Sequence, residues 1–262
     1  TVRNKIIAGK RRSQIYLSLL ITCSVVLVAV MLVNNETGAV YDISSAFKII
    51  KSASPEAVCH TDAVQGYMKR KFSVATLGAD LVTVSAHKIH GPKGVGALYM
   101  RKGVKISPRT FGGSQENKLR PGTEAMPAIA GFAAAARALP DAKRELEHIF
   151  AMRDYMVSKL SELGDIVINS PPDALPYVTN ISVIGIKSEP MLNFLSDRGI
   201  SVSAGSACSK GKKSHVLSQM GLDHKRLDSP LRISFSRFTT VQEIDALILG
   251  IAEAKKVIRA AK

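Results

Sequence analysis

Short apolar runs alternate with helical patterns over the first half of the chain. A Val-rich run at residues 24–33 ends at a polar turn, and an apolar spacing typical of a helix follows at Ile43–Ala53. Further apolar runs occupy residues 57–61 and Leu81–Ser85. Strands that alternate with helices are typical of βαβ units. The pattern therefore predicts a parallel sheet in this region.

Polar residues follow each of the predicted strands. Asn35 comes shortly after the first strand, Asp62 directly after the second, and the segment 85–88 closes the third. Ligands of parallel α/β sheets bind just beyond the carboxyl ends of the strands. We therefore expect these three groups to lie at one edge of the sheet.

The second half of the chain has a different pattern. Residues 125–163 are mainly helical with a break at Pro140, and residues 144–163 have the apolar spacing of an amphipathic helix. The elements predicted after it are a strand at Val178–Val183, a helix near 189–197, a strand at 231–236 and a closing helix from Val241.

These elements predict an α/β protein with two domains. The expected organisation is an atypical basic and apolar segment at 1–24, a mainly parallel domain at 25–143 and a smaller α+β domain at 144–262 that contains Cys208. A chain of 262 residues is long enough for this division.

The apolar run at residues 16–33 is open to two interpretations. It carries no charge and follows a basic triplet at residues 10–12, which favours a membrane span with a positive flank. Its Val-rich second half ends at a polar turn, which favours a buried parallel strand. Periodicity alone does not separate the two for a run of this length.

Composition limits the classes of function. Lys+Arg number 36 and Asp+Glu 21, a net charge of +15 that would attract nucleic acid, anionic lipid or phosphorylated small molecules. The chain has no Trp and 5% aromatic residues, so it lacks the stacking residues of a single-strand nucleic-acid binder. Three cysteines at irregular spacing favour neither disulfides nor a metal site and indicate a reducing, cytoplasmic compartment.

The string SAHKIHGPKGVG carries the strongest chemical signal. It places Lys88 at the end of a buried strand beside Ser85 and His87, where a desolvated amine could react with a carbonyl cofactor. The alternative is a phosphate-binding or merely solvated loop. His87 and His90 lack a third ligand for a metal, and the string lacks the spacing of a P-loop.

Two further residues are ambiguous when each is considered alone. Asp62 could pair with a protonated ring nitrogen, although an Asp after a strand is more often a helix cap. Cys208 lies in a loop of small residues whose lysines would favour a thiolate, although it could equally be an ordinary surface cysteine. Cys23 and Cys59 have no such setting, and we expect them to be buried bystanders.

Six strings, in order, resemble cysteine desulfurases of the NifS-like group, within the class V aminotransferase family of pyridoxal-phosphate enzymes. The resemblance runs from about residue 31 to the C-terminus and implies the fold of pyridoxal-phosphate-dependent transferases. The strings are MLVNNETGAV, CHTDAVQ, SAHKIHGPKGVGALYMRKG, FGGSQENKLRPGTE, SAGSACSKG and LRISFSRFTT.

The resemblance implies conversion of L-cysteine to L-alanine, with the sulfur passed to an acceptor or scaffold protein for iron–sulfur or thio-cofactor assembly. No nucleic-acid partner is expected, apart from an indirect link through a tRNA thiolation pathway. The implied cofactor is pyridoxal 5′-phosphate, carried by Lys88, and the implied persulfide-forming nucleophile is Cys208. The other implied contacts are Asp62 at the ring nitrogen, Gln65 at the phenolic oxygen, Ser85 and His87 at the phosphate, Asn35 and Arg232 at the substrate carboxylate, and Thr123 at the phosphate of the partner subunit in a homodimer.

The chain departs from the family ahead of the Asn-Asn-Glu string. Members of the family normally carry a longer N-terminal part there, with a Gly-Thr loop for the phosphate and a histidine that stacks on the cofactor ring. The resemblance therefore implies an N-terminally truncated chain with an incomplete large domain, and it favours a strand at residues 25–33. The alternatives are a catalytically impaired remnant that dimerises or binds partners and a membrane-anchored protein through residues 16–33.

Overall fold

The computed structural model describes residues 25–139, 142–205 and 214–258. The chain divides into two compact units. The unit called here the N-terminal unit contains residues 25–33 and 41–142, and the C-terminal unit contains residues 34–40 and 143–258. The segment 34–40 thus belongs to the C-terminal unit although both of its neighbours in the chain belong to the other.

The N-terminal unit is built on a four-stranded sheet with the strands in chain order. The first three strands are parallel, and the fourth is antiparallel to the third. The predicted α/β class with a mainly parallel sheet is confirmed. The strands are β1 (Leu27–Met31), β2 (Val58–Asp62), β3 (Leu81–Ser85) and β4 (Gly96–Met100).

Helices connect and follow the strands of this sheet along the chain. Helix α1 (Ile43–Ala53) begins where the Asp42 side chain accepts a hydrogen bond from the Ser45 N–H, which satisfies one of the free donors of the first turn. Its buried side chains, Ile43, Phe47 and Ile50, follow a helical spacing and form one apolar face. Two more helices complete the unit, α2 (Val74–Leu77) and α3 (Met126–Arg137).

A buried carboxylate ties three parts of the N-terminal unit together. Asp80 is 3% exposed and accepts a hydrogen bond from the Cys59 N–H on β2 at 2.8 Å. It also forms ion pairs with Lys51 of α1 at 2.9 Å and Arg101 after β4 at 3.2 Å. Burial alone would raise the pKa of Asp80, but the Cys59 N–H and the two cations outweigh it and hold the pKa below 3.8.

We expect Asp80→Asn to lower the free energy of unfolding by about 1–3 kcal/mol at neutral pH, because a buried acceptor loses its charge while both cations remain. Because the pKa of Asp80 is lower in the folded than in the unfolded protein, the charged carboxylate contributes its full stabilisation above about pH 4. This contribution is lost as the pH falls through the pKa of the folded state. Denaturant titrations at several pH values measure it. Glu56→Gln, at an exposed carboxylate of the same unit, should change stability little; a loss as large as that of Asp80→Asn would contradict the role of the ion pairs.

The C-terminal unit contains a three-stranded antiparallel sheet and five helices among its described residues. The strands are β5 (Ile166–Ile168), β6 (Val178–Val183) and β7 (Pro230–Ser234), in that order, and every residue of the central strand is buried. The helices are α4 (Ala142–Glu162), α5 (Ser188–Ser196), α6 (His215–Gln219), α7 (His224–Asp228) and α8 (Val241–Val257).

The segment 34–40 is docked tightly into this unit. The Leu175 N–H donates to the Gly38 carbonyl at 2.9 Å. Gly38 has a φ of +71°, and a Cβ there would lie 2.6 Å from the carbonyl oxygens of Leu175 and Val178. Only glycine tolerates both the left-handed conformation and this close approach.

The observed elements correct the sequence predictions in several places. The strand expected at 57–61 lies one residue later, and the final strand begins at Pro230 and ends at Ser234 rather than covering 231–236. The helical region 125–163 consists of two helices, but Pro140 lies outside the described residues. Strands β4 and β5 were not predicted.

The membrane-span interpretation of residues 16–33 is not favoured. Leu27–Met31 is a strand whose residues pair in parallel with β2, so a single helix does not run over 16–33. Residues 16–24 lie outside the described part of the chain. Within the described part, every helix is too short or too polar to cross a membrane.

Candidate active site

The chain turns sharply where β3 ends. Ser85 is the last residue of the strand, and a 3₁₀ turn at Ala86–Ile89 follows directly. His90 closes this turn in the left-handed conformation, with a φ of 64°, and its N–H donates to the Ala86 carbonyl. The half-buried Lys88 therefore lies on a short, hydrogen-bonded turn rather than on an open loop.

Small residues hold this turn against helix α3. A Cβ on Gly91 would lie 3.0 Å from both Ala86 Cβ and the Ala86 carbonyl oxygen, and 3.3 Å from Ala135 Cβ of α3. A Cβ on Gly131 of α3 would lie 2.6 Å from the ring of Pro92. Larger residues at either glycine would push the helix away from the turn.

The side chains of Ser85 and His87 meet at the start of the turn. Ser85 Oγ and His87 Nδ1 are 2.7 Å apart, a hydrogen bond whose direction depends on the imidazole tautomer. Burial lowers the pKa of His87, and the charges of Lys88, Lys93 and Lys69 lower it further. The imidazole is thus neutral at pH 7 beside three cations, a setting that favours an anion.

Asp62 ends the neighbouring strand at the same edge of the sheet. It pairs with Thr83 in parallel register, two residues before Ser85. Its side chain is exposed and Oδ1 accepts a hydrogen bond from the Val64 N–H at 2.9 Å. Gln65 follows in the same turn and is half-buried. The structure thus places Asp62 and the segment 85–88 at one edge of the sheet, as the strand order predicts, and Gln65 follows in the turn after Asp62. Asn35, which was expected with them, belongs to the C-terminal unit.

His60 links these two strands through Thr83. Its Nε2 lies 3.2 Å from Thr83 Oγ1 across the sheet. Burial lowers the pKa of His60, and the Asp62 carboxylate opposes this change. The contact contributes to fixing the relative position of the two strand ends.

A second group of polar residues lies in the C-terminal unit. Arg232, on β7, is half-buried and its Nη1 donates to the Asn35 carbonyl at 3.3 Å. Its Nε is buried without a hydrogen-bond partner among the described residues. Burial lowers the pKa of the Arg232 guanidinium, and the Glu36 carboxylate opposes this change. A buried donor without a partner is costly and is a reason to expect an acceptor from a ligand.

Asn34 shapes the turn that carries Asn35. Asn34 is fully buried, and its Oδ1 accepts hydrogen bonds from the Glu36 N–H, the Thr37 N–H and the Thr37 hydroxyl. An Asn side chain that binds the backbone two and three residues later stabilises a tight turn. Asn35 and Arg232, which the sequence does not show as neighbours, are thereby brought together.

The remaining candidates lie elsewhere. Thr123 is exposed in the segment before α3, and its carbonyl accepts a hydrogen bond from Arg120 at 3.3 Å. Cys208 and Cys23 lie outside the described residues. Cys59 is fully buried, which confirms the expectation of burial, and burial raises the pKa of its thiol.

Comparisons with known proteins agree with this architecture. The chain is 36% identical to a solved "NifS-like protein" with a TM-score of 0.84, covering 92% of this chain and 65% of that one. A NifS-like protein from Rickettsia africae gives 33% identity and a TM-score of 0.84, covering 94% and 66%. These similarities confirm the expected fold of the NifS-like group.

The sequence relatives are also cysteine desulfurases. A cysteine desulfurase of Nostoc sp. is 39% identical over 251 residues, covering 92% of this chain and 61% of the relative. The mitochondrial cysteine desulfurase of Saccharomyces cerevisiae is 36% identical, covering 89% and 47%. The chain thus spans about three fifths of the first and about half of the second.

The family model for class-V aminotransferases matches residues 8–247. The chain belongs to this family.

The residues present fit a pyridoxal phosphate. The edge formed by β2 and β3 offers an amine at Lys88, an exposed carboxylate at Asp62 and the Ser85–His87 pair surrounded by cations. An amine can bind the aldehyde, a carboxylate can pair with the ring nitrogen, and the cationic surroundings suit a phosphate. The donor set is therefore chemically complete for the reactive part of the cofactor.

Proposed function

We propose that this chain is a pyridoxal-phosphate-dependent cysteine desulfurase. The observation that carries the proposal is the arrangement at the sheet edge, where Lys88 follows the Ser85–His87 pair and Asp62 ends the adjacent parallel strand. The resemblance to cysteine desulfurases, at 39% identity to the Nostoc relative, supports it.

Residues of the N-terminal unit would hold the cofactor. Lys88 would bind it covalently, Asp62 would pair with its ring nitrogen, Gln65 would contact its phenolic oxygen, and Ser85 with His87 would bind its phosphate. When bound, pyridoxal phosphate supplies a sink for negative charge that develops on the substrate carbons. Lys88, released from the cofactor by substrate, would then move a proton at the substrate α carbon.

Residues of the C-terminal unit would hold the substrate and receive its sulfur. The unpartnered Nε of Arg232 and the adjacent Asn35 would bind the carboxylate of L-cysteine. The Cys208 thiolate would form an S–S bond to the substrate sulfur as the substrate C–S bond breaks. The electron pair of that bond would remain on the β carbon, which takes up a proton to give L-alanine.

The proposal extends to the assembly of the protein. A homodimer would place Thr123 at the cofactor phosphate of the partner subunit, and the persulfide on Cys208 would pass to a sulfur acceptor or scaffold protein in the cytoplasm. A second candidate is a catalytically impaired remnant that dimerises or binds such partners.

A single assay decides between the two candidates. The purified full chain is incubated with pyridoxal phosphate, L-cysteine and a thiol reductant, and alanine and sulfide are measured. A desulfurase yields the two products in equal amounts, with a rate that depends on added cofactor. Absence of alanine above the protein-free control would reject the desulfurase in favour of the remnant.

A further inference from the structure

Glu36 is a buried carboxylate that the sequence analysis did not single out. It is 4% exposed. Its backbone is fixed on both sides, since its N–H donates to Asn34 Oδ1 at 2.9 Å and its carbonyl accepts from Asn180 Nδ2 at 3.3 Å. Because the side chain is also buried, it loses little further freedom when it binds another group.

The Glu36 carboxylate lies beside the two residues that flank segment 206–213. Ser214 Oγ donates to Glu36 Oε2 at 2.5 Å. A Cβ built on Gly205 would lie 3.4 Å from the same oxygen and 3.8 Å from Ser214 Cβ. Gly205 and Ser214 are the residues that flank segment 206–213, which contains Cys208. One carboxylate oxygen therefore lies beside both flanking residues.

Each of these two flanking residues is also connected to a helix or a strand. Ser214 Oγ accepts a hydrogen bond from the Leu217 N–H and so caps α6. On the other side, Ser203 exchanges two backbone hydrogen bonds with Arg232, of 3.2 and 2.5 Å, and its Oγ accepts from the Gly205 N–H at 3.4 Å. Ser214 is thus connected to α6, and Gly205 is connected through Ser203 to the strand that carries Arg232.

We propose that Glu36 is a positioning residue that pins the two residues flanking the Cys208 segment. It does so by its hydrogen bond to Ser214 and its close approach to Gly205, and it thereby fixes both flanking residues relative to Arg232. A charged acceptor makes a stronger hydrogen bond than a neutral one, and a buried one competes little with water. The pinning rests on geometry alone; its role in sulfur transfer rests on the proposed function, in which Cys208 receives the sulfur.

Amide hydrogen exchange on the full chain tests the pinning without any activity. Ser214→Ala removes the hydrogen bond to Glu36, and Glu36→Gln weakens it by removing the charge. We expect the peptides that contain Gly205 and Arg232 to exchange about two- to tenfold faster in Ser214→Ala and less so in Glu36→Gln. Ser214→Thr keeps the hydroxyl and should restore the parental rate.

The double variant and a matched control sharpen this test. If both residues act through one hydrogen bond, the double variant will exchange no faster than Ser214→Ala alone. Tyr155→Phe also removes a hydroxyl that donates to a carboxylate of the C-terminal unit, Asp245, at 2.6 Å. It should leave both peptides unchanged. Unchanged exchange in Ser214→Ala, or equal acceleration in Tyr155→Phe, would refute the pinning.

Turnover tests whether the pinning positions the nucleophile. We expect Ser214→Ala to lower kcat for sulfide release about two- to tenfold and to leave KM for L-cysteine within about twofold, because Asn35 and Arg232 remain in place. Faster exchange with parental kcat would refute the positioning role. If the parental chain turns over no cysteine, the proposed function fails, while hydrogen exchange still decides the pinning. Should Glu36→Gln fail to fold, the Ser214 variants alone decide.

Discussion

Replacing Lys88 with Ala will abolish covalent capture of pyridoxal phosphate and lower sulfide release by about two to four orders of magnitude, the range for loss of a positioned acid–base group. Lys88 is the amine that the 3₁₀ turn presents at the carboxyl end of β3. Treating the full chain with pyridoxal phosphate and borohydride should leave a stable pyridoxyl label on the peptide that contains Lys88. Peptide mass spectrometry measures this label independently of activity.

The control for this experiment is an exposed lysine of the same unit. Lys102→Ala should retain the label on Lys88 and the parental sulfide release. Lys102 is exposed and follows the end of β4 that pairs with the start of β3, whereas Lys88 follows the end of β3. A label that persists at the parental stoichiometry on another lysine in the Lys88→Ala protein would show that the amine assignment is wrong.

Replacing Cys208 with Ser will separate cofactor binding from sulfur transfer. We expect the label on Lys88 to remain at the parental level and sulfide release to fall by about two orders of magnitude or more, because an alcohol is a far poorer nucleophile toward sulfur than a thiolate. Sulfide release and the mass of the Cys208 peptide after incubation with L-cysteine measure the two effects. The parental peptide should gain the mass of one sulfur atom.

Cys59→Ala provides the matched control for the thiol. Cys59 is fully buried and burial raises the pKa of its thiol, so its loss should leave the sulfide yield unchanged after correction for stability. Parental sulfide release from the Cys208→Ser protein would contradict the assignment of Cys208 and direct the search to the other thiols.

The sequence predicts the parallel half of the sheet because its signals are local. Leu81–Ser85 is a short apolar run that ends at a dense polar string, and the structure places β3 at the same bounds. Strand β4 was missed because four of its five residues are exposed, so the apolar alternation of a half-buried strand is absent. Strand β5 has only three residues, too few for any period to be recognised.

Only part of the candidate site is predicted, again because the signals in the sequence are local. Asp62 and the segment 85–88 could be placed together because parallel strands end at a common edge. The contacts of Glu36 could not, since its partners Asn180 and Ser214 are 144 and 178 residues away in the chain. No periodicity connects such positions. The Asn-Asn-Glu string marks the turn as unusual but does not say what packs against it.

The placement of segment 34–40 in the C-terminal unit has a consequence for synthesis on the ribosome. The strands of the N-terminal unit are complete once Met100 has emerged, whereas Glu36 waits for Ser214, 178 residues further along. At about 5–20 residues per second, the 114 residues from Met100 to Ser214 take roughly 6–23 seconds. During this time Glu36 of a nascent chain would lack its partners Asn180 and Ser214. A nascent chain therefore forms its first sheet well before the turn at 34–40 gains the contacts that bury Glu36.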